Sequence, residues 1–455
     1  MLRMPPAQTL TYTALDRSTQ SIRLIEILPG NSPQISCKFQ VHQLDANATC
    51  PPFIALSYTW GPPDPASEIL ITINSQSFLV RKNLWCALLS YRKKMSEGTF
   101  RGPLWIDALS INQQDNLERS HQVNMMKVIF SRAKTVLVWL GPEEDDSSRL
   151  LQFIVTMPSL AYPQPCSPDQ GPPPKYARYT KGPHIENLQI VMPRPEFTID
   201  DLFQELFDLQ LDRAFEALFK RDYWKRLWII QEVMLAENLI ILCGDQVCEW
   251  SILVSIIAEL DYLGQILGPN GLPIDKSSRN QTPIPQLERL RAQVGSSRAY
   301  NILTKGADSD RLQQREEGWE FRELIQTWLY QECADPRDQV YGLLGLAQGE
   351  ITADYDKTVD EIYRDVVASE RPKISDDEWL VFVNALTRAL YKDPSLEEVK
   401  ELGLISGIDV EDALSYCFDL HVLPAWPSDQ DYTAEPPIIS YFDSTGRLHD
   451  YPSSS

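Results

Sequence analysis

Residues 102–145, GPLWIDALSINQQDNLERSHQVNMMKVIFSRAKTVLVWLGPEED, constrain this chain more than any other stretch. Leu104, Trp105, Ile106, Ala108 and Leu109 form an apolar run interrupted only by Asp107, which predicts a strand over 104–109 buried on both faces. Asp115, with Glu118 three residues on, has the spacing of a capping box, so a helix should start there. Val123, Met126, Ile129, Phe130 and Ala133 then recur at helical steps and give that helix one apolar face. Residues 135–140 (TVLVWL) predict a second buried strand, stopped by Gly141-Pro142. A helix between two such strands is a right-handed crossover, so the strands should be parallel and the fold α/β.

The rest of the chain extends that unit. Residues 53–58 (FIALSY) and 239–243 (LIILC) read as further buried strands, giving one mainly parallel sheet flanked by helices. Hairpins are expected at 22–28 with 35–41, and at 69–73 with 78–80 across Asn74-Ser75. Asn83 is a candidate cap for a helix over 84–94. Pro and Gly crowd residues 158–195, which predicts a mobile surface insertion without regular elements. Helices are expected over 199–220 and 223–237, a loose loop between 264 and 285, and a mostly helical C-terminal third including 319–333. Three regions result: an N-terminal hairpin lead-in (1–50), an α/β domain with the insertion at about 158–195 (51–250), and the helical region (251–455).

The charge narrows the function. With 63 acidic against 42 basic residues the net charge is −21, which argues against a general nucleic-acid or anionic-membrane binder. An anionic ligand would need a locally basic pocket. No apolar run approaches the roughly 18 residues of a membrane span, and the N-terminus lacks a signal-peptide core, so a cytoplasmic protein is expected. The eight cysteines and five histidines are scattered without a CxxC pair, so no metal site is expected.

Ligands in open parallel sheets sit beyond the carboxyl ends of the strands. Those ends carry Tyr58, Trp60 and Gly61 on one strand and Asn112 and Gln113 after another, which makes them candidate binding residues. Trp60 could equally plug a groove, and Asn112 and Gln113 could equally satisfy turn backbone. Asp107, a carboxylate inside an apolar strand, either accepts hydrogen bonds from adjacent backbone or points into the cleft. Glu118 reads as the capping partner of Asp115. Trp224, Trp228 and Glu232 fall at four-residue steps, as along one stripe of a helix too apolar to solvate a carboxylate. No Lys or Arg lies three or four residues from Glu232. Its pKa should be raised unless a distant cation meets it.

FIALSYTWG, LWIDALSINQQDNLER…QVNMM and RLWIIQEV together resemble the fungal heterokaryon-incompatibility (HET) domain. IRLIEILPG upstream and DPRDQVYGLLGLA downstream are similar to stretches flanking such domains, and LPAWPSDQ weakly resembles a motif of longer members. The resemblance covers roughly the first 360 residues. It implies non-self recognition and programmed cell death, and distant kinship with Toll/interleukin-1 receptor (TIR) domains, hence a flavodoxin- or TIR-like core. Some TIR domains hydrolyse NAD, and Trp228-Ile-Ile-Gln-Glu232 matches the W-x-x-x-E spacing that places their catalytic glutamate. By that resemblance Glu232 would be catalytic, Trp228 would line the site, and NAD would be a substrate, with no bound cofactor. Family members usually carry Cys at Ser110, so no thiol nucleophile is implied. The competing expectation is a non-catalytic module that triggers death by self-association, with a homo-oligomer or an upstream receptor as partner.

Overall fold

The strand pattern resolves into one sheet of nine strands in the order β5-β4-β2-β1-β6-β3-β7-β8-β9. The computed structural model describes residues 11–30, 33–45, 50–62, 64–156, 199–266, 284–306, 318–349, 351–391, 402, 406, 440–442 and 448–450. The Pro-rich stretch at 158–195, most of 264–285, and residues 423–430 lie outside them.

At the centre, β3 (Ile54–Tyr58) is buried at all five positions and pairs in parallel with β6 (Leu104–Trp105) and β7 (Thr135–Gly141). Strand β8 (Leu239–Cys243) adds in parallel to β7. The four strands read from the sequence thus share one parallel core, with all carboxyl ends on the same edge. The sheet as a whole is mixed rather than mainly parallel. β1 (Ser21–Ile27) runs antiparallel to β2 (Ser36–Gln43) and to β6. β4 (Ile69–Ile73) is antiparallel to β5 (Gln76–Val80), and β8 to β9 (Gln246–Glu249). β2 and β4 are parallel. The two expected hairpins supply two of the departures, and the β1–β6 and β8–β9 pairings the others; Asn74 and Ser75, at φ of 50° and 68°, make the tight turn of the second hairpin.

The strand expected over 104–109 stops at Trp105. Residues Asp107–Ser110 instead form a helical turn, α2, following α1 (Lys82–Ser96). The reason is local. The Asp107 carboxylate accepts the Ala108 N–H at 2.7 Å, and the Ser110 hydroxyl accepts the Ile106 N–H at 3.1 Å. Such side-chain bonds give the backbone an alternative to the ladder. Asn83 does not cap α1, whose N-cap is Arg81. The crossover helix is broken at Met125 into α3 (Asn116–Asn124) and α4 (Met126–Arg132).

Further helices are α5 (Ser147–Thr156), α6 (Ile199–Asp208), α7 (Asp212–Phe219), α8 (Ile229–Leu235), α9 (Trp250–Ile266), α10 (Ile284–Gly295) and α11 (Arg298–Gly306). The helix expected over 319–333 is only α12, Phe321–Trp328, because Trp319 pairs with Ala347 in an isolated bridge. After α13 (Asp338–Tyr341) the chain docks on α3: Asn124 exchanges two hydrogen bonds with the Ala353 backbone, and the Ser120 hydroxyl accepts the Tyr355 N–H.

Residues 1–359 form one compact unit and 360–455 a second. The second holds most of α14 (Val359–Glu370), α15 (Asp376–Tyr391) and a two-stranded hairpin, Ser440–Phe442 with Leu448–Asp450. Among the described residues no helix is long and apolar enough to cross a membrane.

Candidate functional site

Side chains alternate along a strand, so the two faces of β3 carry different residues to the same carboxyl edge. Ile54, Leu56 and Tyr58 join the core cluster that contains Leu104, Ile106 and Trp139. Ser57 faces the opposite way, toward α8. There its hydroxyl donates to the Glu232 carboxylate and bonds the Tyr223 hydroxyl at 2.8 Å. On the Tyr58 face, the Asp107 carboxylate accepts the Trp60 indole N–H at 2.8 Å and the Tyr58 hydroxyl.

Arg226 joins the two faces over the end of the strand. Its guanidinium donates to the Tyr58 carbonyl, the last acceptor of β3. It lies 3.9 Å from Glu232 and 3.9 Å from Asp107, close enough for attraction but beyond a hydrogen bond. Burial drives both acids upward. Glu232 reaches about 7, pushed by burial, opposed by Arg226, and pushed further by the Asp107 charge, with the Ser57 hydroxyl also holding it down. Asp107 is raised by burial against the pull of Arg226, Trp60, the Ala108 N–H and Tyr58. Glu232 is 3% exposed, whereas the Asp107 and Arg226 side chains are 20% and 16% exposed. A ligand approaching this edge therefore meets Asp107, Arg226 and half-buried Trp60 before Glu232.

The turn above the site is held by the start of α1. Asn83 donates to the Thr59 carbonyl at 2.6 Å and accepts the Trp139 indole N–H at 2.8 Å, which is why it is unavailable as a helix cap. Arg81 donates to the Gly61 carbonyl and lies over the Trp60 ring, 5.5 Å from its centroid. Gly61 has φ of 75°, where a side chain would strain the backbone.

Of the residues singled out from the sequence, Tyr58, Trp60, Asp107 and Glu232 converge. Asn112 and Gln113 satisfy their own loop: the Asn112 N–H donates to Glu118, and the Gln113 amide donates to the Asp107 carbonyl at 3.0 Å. Neither bonds Glu232. Trp228 turns away, its indole N–H donating to Asp338 at 3.1 Å. The expected stripe of Trp224, Trp228 and Glu232 does not exist as one helix. Trp224 lies in a separate 3-10 turn (Asp222–Lys225), and α8 begins only after Trp228. Ser110 is wholly buried and bonds backbone.

Glu118 is not the reciprocal capping partner of Asp115. The Asp115 carboxylate caps α3, accepting from Leu117 and Glu118 N–H, while the Asp115 N–H donates to the Asn112 carbonyl. The Glu118 side chain instead forms a two-pronged salt bridge with Arg23 of β1. Sequence reasoning missed Arg23, Arg226, Ser57 and Tyr223. One signal was available for Arg23, a lone cation inside the apolar run IRLIEI. Arg226 lies outside helical spacing of Glu232, and the chain bends between them, so no local pattern pairs the two. Among the described residues no group of three or more His, Cys, Asp or Glu could hold a metal ion.

Residues 53–232 match the family described as Heterokaryon incompatibility protein (HET). The chain is 27% identical over 352 residues to "Heterokaryon incompatibility protein 6, OR allele" of Neurospora crassa, an alignment covering 73% of this chain and 48% of that protein. The chain thus spans about half the length of this curated relative. No solved structure matches it. Tyr58, Trp60, Asp107, Arg226 and Glu232 all fall inside the matched span, so the candidate site lies within the part of the chain that is similar to the HET family.

Proposed function

We propose that this protein acts in fungal non-self recognition and cell death, and that its HET domain does so by cleaving NAD or a related nucleotide. The observation that carries the reading is Glu232: a buried carboxylate near neutrality, bonded by Ser57 and faced by Arg226, at the carboxyl end of the central parallel strand. Cleavage would break the bond between the nicotinamide nitrogen and the ribose C1′, the electron pair leaving with neutral nicotinamide. Positive charge then develops on the ribose, where a carboxylate in a poorly solvated site stabilises it strongly. Water adds at C1′ and loses its proton. Asp107, 20% exposed, would accept hydrogen bonds from the ribose hydroxyls, and Trp60 would pack beside the base.

The test is incubation of the purified protein with NAD and measurement of free nicotinamide. Release lost in Glu232→Gln with the fold retained supports the reading; no release from the wild-type protein under any activating condition ends it. If Glu232 must be ionised, activity rises with pH through about 7.

One observation favours a second reading, a non-catalytic assembly module. Strand β5 is a terminal strand of the sheet, and the β4–β5 hairpin, Ile69 to Val80, carries no charged residue in a chain of net charge −21. Leu70 and Leu79, paired across it, are 44% and 54% exposed. Unprotected edges of this kind invite strand addition by another chain. Loss of cell death in Leu79→Lys, with NAD cleavage unchanged, would favour this reading.

A further inference from the structure

Arg226 stands between two carboxylates without being hydrogen-bonded to either. The one hydrogen bond of its guanidinium among the described residues goes to the Tyr58 carbonyl, and both acids lie 3.9 Å away. The acids have other partners: Ser57 for Glu232, and Trp60, Tyr58 and the Ala108 N–H for Asp107. Removing Arg226 would therefore leave their hydrogen bonds in place while deleting the local positive charge. The groups facing Glu232 are few: Ser57 on β3, Tyr223 on the 3-10 turn, Arg226 in the bend before α8, and Asp107 and the Tyr58 hydroxyl across the edge. Arg226 supplies the cation of this group, and Asp107 the like charge.

We propose that Arg226 is a positioning residue shared by both carboxylates, holding Glu232 charged from the end of β3 while Asp107 draws on the same guanidinium. Arg226 thereby links the buried acid to the ligand-facing one. A ligand that neutralises or displaces Asp107's charge releases the guanidinium toward Glu232 and favours its ionised form. Occupancy of the exposed half of the site thus arms the buried half. This deepens the reading of Glu232 as the reacting carboxylate and rests on it for its functional meaning, but its physical content is testable without turnover.

The experiment is a pH titration of the full chain carrying carbon-13 at the glutamate carboxyls, the Glu232 signal being identified by its loss in Glu232→Gln. In Asp107→Asn the midpoint should fall, and in Arg226→Met it should rise, each by about 1–3 pH units, the range for a charge at this separation. Arg226→Lys, which keeps the charge and loses the fork, should lie between Arg226→Met and the wild type. If NAD is cleaved, the acid limb of the pH profile should move in the same directions. A merely structural role would change the melting temperature without opposite displacements. Midpoints that move together, or do not move, overturn the proposal. If Arg226→Met fails to fold, Asp107→Asn and Arg226→Lys decide the matter by the same signs. Opposite shifts in a protein that never releases nicotinamide would keep this inference and defeat the NAD reading.

Discussion

Glu118 and Glu232 are equally buried, each 3% exposed, and each faces an arginine, yet the two pairs are built differently. Arg23 grips Glu118 with both terminal nitrogens and gives its remaining bonds to the Ser110 and Thr13 carbonyls; Glu118 also takes the Asn112 N–H. That pair is saturated, tying β1 to the loop after α2 and to α3. Arg226 stands 3.9 Å from Glu232 and 3.9 Å from Asp107, and the acid it faces is pushed to about 7. A saturated pair fixes geometry and has nothing left to offer a ligand. An unsaturated one keeps charge available at the mouth of a cleft, and is the arrangement a reactive site needs.

The largest expected effect falls on the saturated pair. Glu118→Ala or Arg23→Met strands a buried charge, and either should cost about 3–5 kcal/mol in urea unfolding. A loss below about 1 kcal/mol would erase the contrast. Glu232→Gln should act in the opposite direction. Glu232 titrates at about 7 when folded, against an ordinary value of 4.5. Between those values the folded state holds a proton that the unfolded chain has released, so stability falls as pH rises, and the full cost persists above 7. Gln removes that cost, so the variant should gain on the order of 1–3 kcal/mol at pH 8 and almost nothing at pH 4.

Smaller effects sharpen the comparison. Trp60→Phe removes a hydrogen bond to the Asp107 carboxylate and should cost about 1–2 kcal/mol, with ligand binding weakened as well. Asp115→Ala, which deletes only the helix cap, should cost about 1 kcal/mol. The difference between Asp115→Ala and Glu118→Ala, measured on one helix start, separates a cap from an ion pair.

Much of the framework was legible in the chain. The runs at 53–58, 135–140 and 239–243 are short, almost wholly apolar and bounded by turn residues, which fits strands buried within a parallel core; β3, β7 and β8 follow. Asn74-Ser75 announced its hairpin, and Asp115 its helix, because turn and cap chemistry act within a few residues. The same local chemistry misled where two demands met. Asp107 and Ser110 ended the strand early through their own backbone bonds, and Asn83 bonded the Thr59 turn instead of its helix.

The sequence by itself determined that Asp107 and Glu232 could not rest in apolar surroundings without a partner. Only the tertiary structure decided the partners. Arg23 lies 95 positions from Glu118, and Ser57 lies 175 from Glu232. Pairing at that separation is set by which strand ends the sheet brings together, and no periodicity along the chain encodes it. The physical reason is range: hydrophobic pattern and capping act over one turn or one strand, whereas charge compensation in a buried site depends on groups delivered by the fold from anywhere in the chain.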